Sequence, residues 1–178
     1  DLAKGTLYLY FATREELVLS LYTDLHDGWM NRLIAAEKKM TTPDYDAFCT
    51  RFYQSFVADA LLVDLAKRLT SGLEPYVPPA AWVAAKQAQM RSAKRLGGMF
   101  CDIFGCDTVR AQRLAWAFIV GLSGAQQRAI DLGGRTDIPA DLQKLSVVMT
   151  GRDVFLNMVL PFASYANDQN TPVHVLSK

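Results

Sequence analysis

The chain is poor in the residues that most enzymes and metal sites concentrate. It holds two histidines, His26 and His174, and three cysteines, Cys49, Cys101 and Cys106, in 178 residues. Three cysteines cannot all pair and their spacing fits no zinc or redox motif, so they read as small apolar residues in a reducing compartment. No P-loop, dinucleotide glycine fingerprint, His-x-x-x-His pair or Gly-x-Ser-x-Gly elbow occurs. GLSG at 121–124 comes nearest to the elbow, but it sits inside a helical pattern rather than at a strand-to-helix turn. His26, beside Asp27, reads as a surface or packing residue, and His174 falls in a polar tail. No constellation meets the geometric needs of catalysis, so neither an enzyme, a cofactor nor a metal is expected.

Charge of one sign is also scarce. Nineteen Lys and Arg face eighteen Asp and Glu, a net charge of +1, which by itself makes no case for nucleic acid. No run of eighteen uncharged apolar residues exists, and the nearest, LAWAFIVGLSGA at 114–125, is short and flanked by Arg110, Arg113 and Arg128. No membrane partner is therefore expected. No leader pattern opens the sequence, and a cytoplasmic location is the expectation.

Apolar residues, by contrast, make up 51% of the chain, enough for a substantial core, and they recur with helical period. Thr13-Arg14-Glu15-Glu16 reads as a capping box opening a helix to about Lys39, with Leu17, Leu21, Leu25, Trp29 and Leu33 inward. Pro43 suits a first helical position, and Phe48, Phe52, Phe56, Ala60 and Val63 then share one inner face. GLEPYVPP at 72–79 breaks the pattern. A long helix from Pro79 to Phe104 ends at Gly105, and Asp107 caps the next, which stops at Gly133-Gly134. Pro139 opens a last helix through Val159. Lys86, Arg91, Lys94 and Arg95 read as a solvated helix surface. No strand or repeat emerges, and the expected fold is all-α.

One segment stands apart, KGTLYLYF at 4–11. By period alone it is a buried aromatic helix or a strand. As a helix it stacks Ala3, Leu7 and Phe11 on an inner face and leaves a Lys, a Gly, a Thr and two tyrosines outward, groups that suit bases and phosphates. This stretch, followed at once by the capped ATREELVLSL, resembles the recognition helix and following helix of the tetracycline-repressor (TetR) family of transcription regulators. The resemblance runs from Lys4 through Leu17; Ala3 replaces the usual hydroxyl cap, and Asp1 stands where a turn glycine is common. Beyond it the chain is similar only in plan.

The resemblance implies a ligand-responsive DNA-binding regulator, a repressor released from a double-stranded operator by a small molecule. It implies two further helices ahead of Asp1 that complete the helix-turn-helix. Lys4, Gly5 and Thr6 then lie where the family meets bases or adjacent backbone, Tyr8, Leu9 and Tyr10 where it meets phosphates and thymine methyls, and Arg14 where it holds a phosphate. Residues 1–39 become the end of the head and a connecting helix, 40–166 an effector-binding and dimerisation domain, and 167–178 a loose tail. The family's homodimer, which reads two half-sites, is expected through Leu122, Ala125, Leu142, Leu145, Met149, Leu156 and Val159, with ordinary intrachain packing as the competing reading. For a small apolar or aromatic effector the candidates are Phe52, Phe56, Trp82, Met90, Phe100 and Trp116, each of which simple core packing also explains. A helical small-molecule or protein-binding module without DNA activity is the alternative.

Overall fold

The computed structural model describes residues 9–69, 72, 74–133 and 150–163. Six α-helices run through them: α1 Arg14–Glu37, α2 Tyr45–Val57, α3 Ala60–Arg68, α4 Pro79–Phe104, α5 Thr108–Gly133 and α6 Gly151–Val159. Short 3-10 turns occupy Glu74–Tyr76 and Leu160–Phe162. No strand occurs among the described residues, and the fold is all-α.

Several boundaries follow from local chemistry. Thr13 Oγ1 accepts the Glu16 N–H at 3.0 Å, and the Glu16 carboxylate reaches back to the Ala12 N–H at 2.7 Å, satisfying donors that the first turn leaves open. Gly105 ends α4 in the left-handed region at φ 66°, where a side chain would be strained. The Asp107 carboxylate then accepts the N–H groups of Val109 and Arg110 at 2.9 and 3.0 Å and starts α5.

Two expected helices are each interrupted by a cap. Asp44, not Pro43, adjoins the first helical residue of α2: its side chain accepts the Ala47 N–H at 3.0 Å and leaves Pro43 outside. The same helix stops at Val57, because the Asp59 carboxylate accepts the Leu62 N–H at 3.1 Å and opens α3. Ala60 and Val63 thus belong to a separate helix. A reciprocal capping box between Thr150 and Asp153 likewise begins α6 afresh, so the apolar spacing from Leu142 to Val159 does not run along one uninterrupted helix. The tail from 164 onwards, with its expected looseness, lies outside the described residues, as do 134–149.

Helix α5 packs against both α4 and α6, while α1 packs against α4, α3 and α2. Phe118 on α5 is the meeting point. Its ring lies 4.8 Å from Phe52 and 5.4 Å from Phe48 on α2, 5.3 Å from Phe100 on α4 and 5.6 Å from Phe155 on α6. Each of these phenylalanines is fully buried, which stabilises the fold by about 1.5–3 kcal/mol per ring. Trp29 Nε1 donates to Ser55 Oγ at 3.0 Å, and the buried Tyr45 hydroxyl to the Val159 carbonyl at 2.9 Å. Arg51 grips the buried Glu37 carboxylate through both oxygens at 2.8 and 2.7 Å. Cys49 and Cys106 are buried thiols, and burial pushes Cys49 up to about 12, which leaves it unreactive.

The inner face of α1 is shifted from its expected position. Trp29 and Leu33 are buried, yet Leu21 is exposed. A step of four residues overshoots a 3.6-residue turn by about 40°, so a stripe spaced only by fours winds off the face. Tyr22, His26, Trp29 and Met30 follow the true period instead.

Candidate functional site

Where α1, α4 and α5 converge, small side chains leave a void. Ala85 and Ala88 on α4, Ala66 on α3 and Ser123 on α5 line it, and together with the larger residues around them they outline a partly open cavity of about 250 Å³. Helix α1 supplies Leu19, Tyr22, Thr23, His26, Asp27, Trp29 and Met30 to its wall. These positions recur at three- and four-residue steps and so share one face. Phe52 and Leu69 join from the α2–α3 side, Trp82, Lys86 and Gln89 from α4, and Ile119, Leu122 and Gln126 from α5.

The His26 ring lies between two aromatic neighbours, tilted against Tyr22 at 5.6 Å and edge-on to Trp29 at 5.4 Å. Burial pulls its imidazole down to about 4; the Asp27 charge opposes this and Arg95 adds to it. The ring is therefore neutral at pH 7, with one N–H donor and one acceptor. Burial likewise raises the Tyr22 hydroxyl to about 12, keeping it protonated. Lys86 places Nζ 5.3 Å from the centroid of the Trp82 ring, a cation–π geometry.

Behind this wall lies a polar tie. Asp27 Oδ1 accepts from Ser92 Oγ and from Arg95 Nη2, each at 2.7 Å, and Arg95 Nη1 donates to Asn31 Oδ1 at 2.6 Å. Arg95 is thus half-buried against α1 instead of forming part of a solvated basic surface. A wall of aromatic faces and neutral hydrogen-bonding groups is equipped to bind a small organic molecule. No group of His, Cys, Asp and Glu among the described residues is arranged to hold a metal ion, and no helix among them is long and apolar enough to cross a membrane.

The sequence-derived candidates are distributed unevenly around this cavity. Phe52 and Trp82 line it. Phe56 and Phe100 are sealed in the core, while Met90 and Trp116 are 52% and 43% exposed and take no part in the wall. Of the dimer candidates, Leu122, Ala125 and Val159 are buried within the single chain, which fills their surface with intrachain contacts, and Leu156 is half-buried against the core. Leu142, Leu145 and Met149 lie outside the described residues. Among the described residues, the large apolar groups that α5 and α6 leave exposed are Val109, Trp116, Val120 and Met158.

At the head, Lys4, Gly5, Thr6 and Tyr8 also lie outside the described residues. Leu9 and Tyr10 are 81% and 76% exposed, and Arg14 is an exposed first residue of α1. Sequence reasoning missed Tyr22, Thr23, Asp27, Gln89 and Gln126, and placed His26 as a packing or surface residue. The available signal was the spacing Tyr22, His26, Trp29, which sets polar and aromatic groups on one helix face.

Comparison with known proteins returned no matching family model and no matching curated protein.

Proposed function

We propose that the chain is a ligand-responsive DNA-binding transcription regulator, a repressor that leaves its operator when the cavity fills. The observation that carries this reading is the double role of α1. Its first turn follows directly on the KGTLYLYF segment, whose residues resemble a TetR-family recognition helix, and its middle supplies seven residues to the cavity wall. A ligand pressing on Tyr22, His26 or Met30 acts on the same helix that begins at Arg14, four residues after the exposed Tyr10. A two-state shift of α1 is then the physical link between the two ends.

In this reading Lys4, Gly5 and Thr6 set register or specificity, Tyr8, Leu9 and Tyr10 meet backbone and thymine methyls, and Arg14 holds a phosphate. Two copies associate to read two half-sites. The outward groups Trp116, Val120 and Met158 offer apolar surface for that pairing, since Leu122, Ala125 and Val159 are spent inside the chain.

The test is binding of the full-length gene product to DNA flanking its own gene, measured across salt concentrations. Saturable binding that exceeds random DNA and falls steeply with salt supports the reading; absence of binding at low salt sinks it. Arg14→Ala should weaken binding to all sequences and flatten the salt slope by about one.

One observation favours a second reading, a helical small-molecule or protein-binding module without DNA activity. Among the described residues the cavity wall begins at Leu19, and Leu9, Tyr10 and Phe11 take no part in it.

A further inference from the structure

The polar groups around the cavity fall into two sets. In the first, hydrogen-bonding capacity or charge is already engaged. Thr23 and Ser123 donate to carbonyls of their own helices, those of Leu19 at 2.8 Å and Ile119 at 3.0 Å. Asp27 is matched by Arg95 at 2.7 Å, and the Lys86 ammonium lies over the Trp82 ring. The second set is the Tyr22 hydroxyl, the His26 imidazole and the amides of Gln89 and Gln126. All four line the cavity, Gln126 is only 8% exposed and the others are half-buried, and none forms a side-chain hydrogen bond among the described residues. These groups line one void and have no partner in its wall, so they are free to orient a polar atom of an occupant.

The chemistry of that atom is constrained. Tyr22 and His26 are both neutral at pH 7, and an amide carries no charge. A charged ligand would enter a wall whose own charges already have partners, and would lose its hydration without compensation. Size constrains the rest of the molecule. A cavity of about 150 Å³ admits benzene, and this one, at about 250 Å³, has room for a substituted ring or two fused rings. Trp29, Phe52 and Trp82 supply the aromatic surface for them.

We infer that the cavity binds an uncharged one- or two-ring aromatic compound whose hydroxyl or ring nitrogen hydrogen-bonds members of the set Tyr22, His26, Gln89 and Gln126. This rests on the reading of the cavity as the ligand site and makes no use of DNA.

Equilibrium dialysis of the chain at pH 7 against β-naphthol, naphthalene and β-naphthoate tests it, because the three differ only in the polar group they bring. β-Naphthol should bind about tenfold more tightly than naphthalene, a ratio expected of a hydrogen bond made to otherwise unpartnered groups. β-Naphthoate, an anion of similar shape, should bind more weakly than β-naphthol. Gln126→Leu should narrow the ratio of β-naphthol to naphthalene affinity from about tenfold to about threefold. Tyr22→Phe, which removes one hydroxyl, provides the same comparison if the leucine variant fails to fold.

Equal binding of naphthalene and β-naphthol overturns the inference, since these polar groups would then play no part. Tightest binding by β-naphthoate also overturns it and points to Lys86 as a carboxylate partner. If none of the three binds, the ligand half of the proposed function falls with the inference. Failure of the DNA half is read separately, in the salt titration, and none of these dialysis outcomes bears on it.

Discussion

Asp27 and Arg95 join α1 to α4 at 2.7 Å, with Ser92 Oγ bonded to the same carboxylate oxygen and Asn31 to the other end of the guanidinium. Asp27 also forms part of the cavity wall. The tie therefore stands between the bound-ligand volume and the packing of the helix that leads to the N-terminal segment. Both side chains are about a third exposed, so solvent screens part of the attraction.

Breaking this tie should cost modest stability. Arg95→Met keeps the aliphatic stem but leaves Asp27 with the Ser92 bond alone, and the expected loss is about 1–2 kcal/mol. Denaturant unfolding of Arg95→Met, Asp27→Asn and the double variant measures it. A coupling below about 0.3 kcal/mol in that cycle would show the two residues to be independent.

Phe118 should be far less tolerant. It touches rings from α2, α4 and α6, so truncation opens a void that no single neighbour can fill. Phe118→Ala should lower the unfolding free energy by about 3–5 kcal/mol, against a total stability of about 5–15 kcal/mol for a typical domain. A loss under about 1 kcal/mol would mean that the helices close on the gap.

Two glycines separate backbone freedom from steric need. An added methyl group at Gly98, inside α4, meets no atom within 4 Å, so Gly98→Ala should stabilise by about 0.8–1 kcal/mol through helix propensity. At Gly151 the same methyl falls 2.8 Å from the Ala125 carbonyl oxygen and 3.2 Å from the Tyr53 hydroxyl. Gly151→Ala must push α6 away from α5 and should destabilise by about 1–3 kcal/mol. Melting temperatures moving in the same direction for both variants would contradict this.

The all-α class, both ends of α4 and the start of α5 were legible in the sequence because their causes are local. Gly105 and Asp107 act within a few residues of themselves, and Pro79 begins its helix as expected. The breaks at Asp59 and Thr150 were hidden because apolar spacing continues across them, and period alone does not register a side chain that turns back to cap. The cavity was hidden for a different reason. Tyr22, His26 and Gln126 look like surface residues until the elements opposite them are known, and Arg95 looks like one more cation in a basic stretch. Phe56 and Phe100 drew attention as pocket aromatics because large apolar groups are conspicuous, whereas the void itself is bounded in part by Ala66, Ala85 and Ala88.

His26 should make stability depend on pH in a defined window. In the unfolded chain its imidazole takes a proton as pH falls below about 6.5, but in the fold burial delays protonation until about 4. Between those values the unfolded state binds more protons than the native state, so stability falls as pH falls, and this contribution levels off below about 4. Burial sets most of the effect, Asp27 works against it by favouring the imidazolium, and Arg95 adds to it. The ceiling is about 3 kcal/mol, and water entering the cavity should reduce the loss to about 2 kcal/mol. Unfolding of the native chain and of His26→Gln at pH 7 and pH 4.5 isolates it, because the glutamine keeps a polar side chain but does not titrate. The native chain should lose about 2 kcal/mol more than the variant over that interval. Equal losses would mean that the imidazole protonates within the fold at its ordinary value, and the neutral donor–acceptor role given to His26 in the cavity would be withdrawn.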